Sequence, residues 1–401
     1  MDQATANALF EQCAILLFLD APPNMEFGID FNTWTTGPRF RGLKFIPPGL
    51  HFVYHSSVSK FDQTGVRAGF FKVFEPREIV VKQWDPKRED IKPDNELDPD
   101  QVERYRLNIR EFDQYLGYYP LIPTEEQPIN TYRKWASLTT HITSTLLKRV
   151  LPQSWKISAM SSISKFSDVD VPKTFKSRGT GGAPTDMDVE GVTALTAVEA
   201  GTTKTSSAVE EDYRIHFTEM NLKRSFPDGA SGVELTKYSL DKSHLLETLL
   251  QKKYKDYKEV LGELQLSFII FLIGQVYDGL EQWKNLVQLI CQSDEALDKY
   301  ATTLYVEFLA TLRYQIEECP DDFFHSEITG DNFLRYSLTF FVRTIQDRAG
   351  RGVPQALQKA VDGLLDYLRD RFQWDLRNDV RVIGEEEEED DEYAPVVVET
   401  E

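Results

Sequence analysis

The stretch that decides the fold runs from Glu26 to Ser57 and reads EFGIDFNTWTTGPRFRGLKFIPPGLHFVYHSS. It is the densest run of turn-forming and aromatic residues in the chain. Two segments within it, Leu43–Ile46 and Leu50–Tyr54, are rich in aromatic and branched residues, which is typical of β-strands. Pro47-Pro48-Gly49 lies between them and predicts a tight turn, because proline presets φ and glycine supplies a positive φ. The stretch therefore predicts a β-hairpin.

The flanking segments extend this β-rich region. Ala14–Leu19 is a continuous apolar run that predicts a buried strand, and it is too short to span a membrane. Since no basic segment precedes it, we do not expect a signal peptide. Ala68–Phe74 and Ile79–Trp84 predict a second strand pair, turned by Glu75–Glu78.

Two helices are predicted to cover one face of this sheet. Asp98 precedes Pro99 as an N-cap residue precedes an N1 proline, which predicts a helix start. Apolar residues then recur at helical spacing in two stripes. The first stripe consists of Val102, Tyr105, Ile109, Phe112 and Leu116, and the second of Tyr132, Trp135, Leu138, Ile142 and Leu146.

The segment 157–212 is rich in Ser, Thr and Gly and is predicted to be a disordered linker. Its glycine cluster, Gly179–Gly182, lacks the Lys-Ser/Thr pair of a phosphate loop, so nucleotide binding is not expected. Thr202, Thr203, Thr205, Ser206 and Ser207 are candidate regulatory phosphorylation sites. The favoured interpretation is that these hydroxyl residues only keep the linker soluble.

The chain beyond the linker predicts a helical bundle. Tyr213–Phe217 alternates and predicts a strand that returns to the first domain or bridges both. Leu264–Ile273 is apolar on nearly all sides, which indicates a central helix buried by its neighbours. Further helices are predicted at Leu245–Leu250, Gln275–Cys291, Asp294–Glu318, Asn332–Asp347 and Pro354–Phe372.

The charge is strongly acidic, since 65 Asp and Glu residues against 45 Lys and Arg residues give a net charge of −20. Such a surface opposes phosphate-backbone binding and favours a basic protein partner. The longest basic run is the short Gln251–Lys255. The three cysteines show no metal or redox spacing, which indicates a reducing compartment. We expect a soluble monomer, cytoplasmic and nuclear, with no membrane association.

The C-terminal segment combines two opposed signals. Glu385–Glu392 is a run of eight consecutive acidic residues, and it is followed by the β-prone Tyr393–Glu399. Three consecutive valines favour an extended backbone that could add a strand to a partner's sheet edge. The competing interpretation is that the tail folds back onto this protein's own sheet. The predicted partner-binding residues of this tail are Tyr393, Pro395, Val396, Val397 and Val398.

No catalytic motif of a common class is present, and no catalytic residue, cofactor or metal is expected. His51 and His55 lie on one face of a predicted strand, where a metal site is conceivable. Such a site needs further ligands, and the choice of Asp30 and Asp62 would be arbitrary. Hydrogen-bonded structural histidines are the preferred interpretation. A second carboxylate cluster, formed by Glu317, Glu318, Asp321 and Asp322, is interpreted as a solvated turn between helices.

Several ordered blocks resemble the A1-cistron splicing factor family. They are Phe27–Asp30, Gly37–Gly42, Ile46–Gly49, Arg67–Phe71, Glu111–Gly117, Lys134-Trp135, Leu261–Gln265, Trp283-Lys284, Asp331–Leu334 and Tyr393–Glu399. The resemblance implies a non-catalytic assembly factor of the U5 snRNP in pre-mRNA splicing. It implies binding to the large spliceosomal scaffold protein through that protein's RNase H-like and MPN domains. This binding would hold off the RNA helicase and RNA until maturation.

The sequence thus predicts an α+β fold in two domains. Residues 1–156 form a β-rich domain with covering helices, 157–212 a linker, 213–383 an all-α bundle and 384–401 an acidic tail. Two other functions stay open. One is a helical adaptor of a different complex, and the other is a hydrolase that uses His51, His55 or the acidic residues near Pro320.

Overall fold

The structure of the protein is a computed structural model that describes residues 3–58, 64–121, 130–160, 213–227, 229–320, 323, 333–348, 350 and 352–378. Its N-terminal half is β-rich and its C-terminal half is helical, which confirms the α+β prediction. Within the described ranges, no helix is long and apolar enough to cross a membrane.

The N-terminal half has ten strands and four α-helices among its described residues. The strands are β1 (Ala14–Leu19), β2 (Glu26–Ile29), β3 (Asn32–Thr35), β4 (Gly42–Ile46), β5 (Gly49–Val58), β6 (Thr64–Phe74), β7 (Ile79–Asp85), β8 (Asp90–Ile91), β9 (Gly117–Tyr118) and β10 (Lys156–Ser158). The helices are α1 (Gln3–Gln12), α2 (Pro99–Leu107), α3 (Thr131–Thr139) and α4 (Ser144–Val150), with 3-10 turns at Asp94–Glu96 and Ile109–Tyr115.

The strands form two five-stranded sheets, with orders β8-β7-β1-β4-β9 and β10-β6-β5-β2-β3. The predicted strand β1 is confirmed, and all six of its residues are buried. It lies between β7, to which it is parallel, and β4, to which it is antiparallel. A strand that is buried on both faces needs the uninterrupted apolar run that its sequence has.

The predicted hairpin between β4 and β5 is wrong, because the two strands belong to different sheets. β4 pairs with β1 and β9, whereas β5 pairs with β2 and β6. Pro47 and Pro48 carry no amide hydrogen, so neither donates to the ladder of a hairpin. Phe45 and Gly49 both have positive φ, and the chain crosses here from one sheet to the other.

The second predicted strand pair is wrong for the same reason. β6 lies in the sheet of β5 and β7 in the sheet of β1, and Arg77 between them has a φ of 63°. Both turns therefore carry the chain between layers, and the strand partners come from distant parts of the sequence. The turn residues predicted where each strand ends. They did not predict which strand it pairs with.

The helix α2 begins as predicted, with the Asp98 side chain accepting a hydrogen bond from the amide of Asp100. The two apolar stripes are, however, broken. The first gives way to a 3-10 turn whose Asp113 binds Lys44 at 2.7 Å. The second splits into α3 and α4, because Thr143 caps α4 and the amide of His141 donates to Gln265 at 2.8 Å. Tertiary contacts thus override the helical periodicity.

The C-terminal half contains eight described α-helices. They are α5 (Val233–Leu240), α6 (Ser243–Lys252), α7 (Tyr257–Leu272), α8 (Tyr277–Cys291), α9 (Leu297–Tyr300), α10 (Val306–Glu318), α11 (Phe333–Asp347) and α12 (Gln355–Phe372). The buried central helix is confirmed, since every residue of α7 from Val260 to Phe271 is buried. The helix predicted over Asp294–Glu318 is helical without a gap from Leu297 to Glu318, but it is not a regular α-helix throughout. A π-helical segment, Ala301–Tyr305, separates α9 from α10, and the Tyr305 hydroxyl donates to the Ser293 carbonyl at 2.6 Å.

Residues 161–212, most of the predicted linker, lie outside the described residues, but both flanks of the segment meet at Asp90. The Nζ of Lys156 lies 3.2 Å and the hydroxyl of Tyr213 lies 2.7 Å from the same Oδ2 of Asp90. Ile157 and Ser158, assigned to the linker, belong to β10 and pair with β6. Tyr213–Phe217 is not a strand, although it returns to the first half as predicted, through His216, whose amide donates to Val150.

Lys156 and Tyr213, which flank the segment 161–212, contact the same carboxylate, so the two flanks lie close together. We therefore expect that about ten Gly/Ser residues can replace it, since such a chain spans roughly 17 Å. Closing a shorter loop costs less entropy, so the free energy of unfolding should rise by roughly 1.5 kcal/mol. Urea unfolding of the full and shortened chains measures this. A markedly less stable shortened chain would show that the segment packs on the fold.

Candidate partner-binding surface

The two halves share one hydrophobic cluster. The strands β5 and β6 contribute Phe52, Tyr54 and Phe71, and the helical half contributes Leu266, Ile269 and Ile270 of α7 and Ile273 directly after it. Trp135 and the buried residues of α4 belong to the same cluster. The Arg67 guanidinium adds a hydrogen bond to the carbonyl of Ile273 at 2.9 Å. Burying one such apolar side chain contributes about 1.5–3 kcal/mol. The halves therefore share one core and form one composite surface.

A buried carboxylate joins three segments at this junction. Glu263 of α7 is fully buried, and its oxygens accept four hydrogen bonds. The Oε1 accepts from the Thr218 amide at 2.7 Å and from Gln282 at 2.8 Å. The Oε2 accepts from the Thr218 hydroxyl and from Arg149 of α4, each at 2.8 Å. A buried charge is tolerated only with such partners, so Glu263 fixes the position of all three segments.

The neighbours of Glu263 in the sequence bind the same junction. Gly262 faces the loop between α3 and α4, where a Cβ atom would collide with the carbonyl oxygen of His141. Gln265 accepts from the His141 amide and donates to the Ser137 carbonyl at 3.2 Å. The block Leu261–Gln265 is therefore a junction motif, in which glycine permits close approach and the two polar residues bind across it.

A second buried polar cluster lies between the two sheets. Asp30 and His51 are both fully buried, and the Oδ2 of Asp30 lies 2.6 Å from the Nδ1 of His51. The Nε2 of His51 lies 2.8 Å from the Pro47 carbonyl, and the Tyr119 hydroxyl donates to Asp30 at 2.9 Å. Burial and the Asp30 charge raise the pKa of Tyr119, so the phenol stays protonated. His51 is thus hydrogen-bonded through both ring nitrogens, as the preferred interpretation expected.

His55 takes part in the cluster around Asp90, which also includes Lys156 and Tyr213. Its Nε2 lies 3.3 Å from the Oδ1 of Asp90. Burial acts to raise the pKa of Asp90, but hydrogen bonding to His55, the charge of Lys156 and the hydroxyl of Tyr213 outweigh it and hold that pKa well below its usual range. Asp90 is therefore an ionised structural carboxylate.

The remaining candidates of the sequence analysis are the acidic cluster near Pro320 and the cysteines, taken in the described part of the chain. No group of three or more His, Cys, Asp and Glu residues is placed there to hold a metal ion. Glu318 pairs with Lys134 at 2.7 Å, and the Glu317 carbonyl accepts from Arg371. Asp62, Asp321 and Asp322 lie outside the described residues. Burial raises the pKa of Cys13, Cys291 and Cys319, which keeps these thiols protonated.

The predicted site residues themselves fall outside the described residues, both in the tail (Tyr393, Pro395, Val396, Val397 and Val398) and in the linker (Thr202, Thr203, Thr205, Ser206 and Ser207). Sequence reasoning missed three exposed tyrosines. Tyr118 stands on the edge strand β9 and is 58% exposed, and Tyr314 of α10 and Tyr336 of α11 are 46% and 58% exposed. Exposed aromatic residues are enriched at protein interfaces. The sequence feature that could have revealed them is that each is a tyrosine at a position outside the apolar stripe of its helix or strand.

Fold and junction define a class of α+β proteins in which a two-sheet half and a helical half share one core. Family models described as the AAR2 N-terminal domain and the AAR2 C-terminal repeat region match residues 12–152 and 217–377. The chain belongs to the AAR2 family, which confirms the family resemblance seen in its motifs.

Its relatives match over nearly their whole lengths. The Homo sapiens protein named Protein AAR2 homolog is 35% identical over 409 residues, covering 100% of this chain and 97% of that protein. The Caenorhabditis elegans protein of the same name is 31% identical over 373 residues, covering 92% and 97%. The Saccharomyces cerevisiae protein named A1 cistron-splicing factor AAR2 is 25% identical over 399 residues, covering 95% and 96%.

The Glu263 network predicts a large effect of a small substitution. Glu263→Gln places an amide NH2 against groups that already donate, and it leaves Arg149 without its carboxylate. We expect the free energy of unfolding to fall by roughly 3–5 kcal/mol, measured by urea unfolding. Glu263→Leu combined with Arg149→Met should recover part of the loss, because it removes both charges. The control Glu247→Gln breaks an exposed pair with Lys299 and should cost less than about 1 kcal/mol. Equal losses in Glu263→Gln and Glu247→Gln would contradict the role of the network.

The contacts of Asp90 predict that the stability of the protein depends on pH. Its folded-state pKa lies below the ordinary value of 3.8, so its contribution is present above that pH and is lost as the pH falls below it. Asp90→Asn should therefore lower stability at pH 7 by roughly 1–3 kcal/mol, and this difference should shrink between pH 5 and pH 3. Unfolding curves across that range measure it. Asp94→Asn, in an exposed pair with Lys82, is the control. A difference that stays constant with pH would refute the assignment.

Proposed function

We propose that this chain is a non-catalytic assembly factor of the U5 snRNP that supports pre-mRNA splicing. Membership of the AAR2 family carries the proposal, since a relative is 35% identical over 100% of this chain. The relative in Saccharomyces cerevisiae is named a splicing factor. The structural use of His51, His55 and the buried thiols agrees with a binding role. We propose that the protein acts as a monomer in cytoplasm and nucleus.

The proposed partner is the large U5 snRNP scaffold protein, bound through its RNase H-like and MPN domains. In this proposal the chain occupies surface that the RNA helicase and RNA need later, so it acts as a placeholder during assembly. The shared core of the two halves supports this, because a composite surface can contact two partner domains at once. The exposed Tyr118, Tyr314 and Tyr336 are candidate contacts within it.

The tail is proposed to add a β-strand to the partner. Its sequence supports this, because Val396, Val397 and Val398 favour an extended chain and alternate between its two faces. Pro395 lacks an amide hydrogen and fits only the start or outer side of such a strand. Glu385–Glu389 would steer the tail to a basic surface and raise the association rate more than the affinity.

A pull-down from cell extract tests the function and the tail together. The full chain should recover the U5 scaffold without mature helicase. A chain ending at Gly384 keeps every described residue, so it should lose at least about tenfold in scaffold affinity, or roughly 1.4 kcal/mol, while its melting temperature stays within about 2 °C. Substituting Gln for Glu385–Glu389 should mainly slow association, measured by surface plasmon resonance at two salt concentrations.

The outcomes separate the alternatives. Recovery of another complex would replace the splicing assignment with a general adaptor. A truncated chain that melts markedly lower but binds the scaffold normally would place the tail in this protein's own fold. Val397→Pro, which removes one ladder donor, should weaken binding, whereas Thr400→Pro lies beyond the predicted strand and is its matched control.

A further inference from the structure

A lysine surface lies beside the junction of the two halves. It consists of Lys252, Lys253, Lys255 and Lys258, at the end of α6 and the start of α7. All four side chains are exposed, and none forms a salt bridge with any described residue. The guanidinium of Arg149 lies 5.0 Å from the ring centroid of Tyr254, between Lys253 and Lys255, so the surface adjoins the Glu263 network.

The acidic residues within this segment do not neutralise the lysine surface. Asp256 caps α7 and accepts hydrogen bonds from the amides of Lys258 and Glu259, so its charge faces the helix N-terminus. Glu259 accepts from the amide of Lys255 at 3.4 Å. Residues 251–259 keep four lysines against these two carboxylates, leaving a local charge of +2 on a chain of −20. Such a surface attracts an anionic segment.

The chain itself supplies a matching segment. Glu385–Glu392 carries eight consecutive acidic residues, and residues 385–401 hold ten carboxylate side chains and no Lys or Arg. The described chain ends at Asn378, after Arg377 binds Asp362 of α12 at 2.5 Å. The fourteen residues from there to Glu392 reach up to about 48 Å when extended. The radius of gyration of a compact chain of this length is about 21 Å, so the reach of the acidic run, from about 24 Å at Glu385 to about 48 Å at Glu392, is comparable with the size of the molecule.

We propose that Glu385–Glu392 docks on the lysine surface of its own chain and covers it in the free protein. Charge complementarity favours this occupant over an RNA. The tail is present at an effective concentration of about a millimolar, whereas an RNA must first approach a chain of −20. The contact is between exposed charges, so salt weakens it within a Debye length of about 8 Å at physiological ionic strength. This contact concerns the free protein, and its test needs no partner.

Limited lysine acetylation tests the contact in the full chain and in the chain ending at Gly384. Mass spectrometry gives the rate at each lysine. We expect Lys252, Lys253 and Lys255 to react about threefold more slowly in the full chain at low salt, because a site that is two-thirds occupied is free one third of the time. The protection should vanish in 0.5 M salt. Lys87 and Lys359 are exposed and lack salt bridges to described residues, so they are the matched controls and should not change.

Two further measurements make the result decisive. A full-length variant with Gln at Glu385–Glu389 keeps the tail length and should lose the protection, as truncation does. Carbodiimide crosslinking at low protein concentration should join the acidic run to the lysine surface within one chain. Equal acetylation rates with and without the tail overturn the proposal, as do crosslinks spread evenly over Lys87 and Lys359. Protection by added single-stranded RNA to the same degree in the full and truncated chains also overturns it, because the surface would then be open.

Discussion

The structure depends on one buried charge. Glu263 lies in α7, where every residue from Val260 to Phe271 is buried. An isolated carboxylate at such a position would cost several kcal/mol. Its four hydrogen bonds compensate that cost only when α4, Thr218 and α8 occupy their native positions together. The hydrophobic cluster around it holds the two halves together, whereas the carboxylate fixes their position relative to each other. Apolar contacts alone tolerate sliding, but a network with fixed donors does not.

The sequence predicted elements whose cause is local. β1 was predicted from a run of apolar residues, and α7 from a segment that is apolar on nearly all sides of the helix. The start of α2 was predicted from Asp98 and Pro99. It failed wherever a distant residue decided the outcome. β4 and β5 adjoin in sequence but pair with β1 and β6 in separate sheets, and α3 ends near His141 because Gln265, far along the chain, holds that loop. Periodicity carries no information about such partners.

The motifs that reveal the family are mostly structural in the described part of the chain. Trp135 donates to the Leu50 carbonyl at 2.6 Å, Trp283 donates to Gln315 at 2.9 Å, and the block Leu261–Gln265 binds across the junction. These residues identify the fold because few other side chains satisfy the same buried positions. A surface residue that contacts a partner has no such constraint within its own chain. This explains why the sequence indicated the family yet not the exposed tyrosines on β9, α10 and α11.

The charge distribution connects the tail to its surroundings. Ten of the excess carboxylates lie after Gly384, and the lysine surface is the densest run of unpaired positive charge among the described residues. If the acidic run rests on that surface, its transfer to a basic patch of a partner exchanges one set of exposed ion pairs for another. Each exposed pair contributes only about 0–1 kcal/mol, so the exchange is nearly balanced in free energy. In the proposed strand addition, the valines after the run tip the balance, because they would bury apolar area and form backbone hydrogen bonds only on the partner. In this arrangement charge sets how fast the tail transfers, and the β-prone segment sets how tightly it stays.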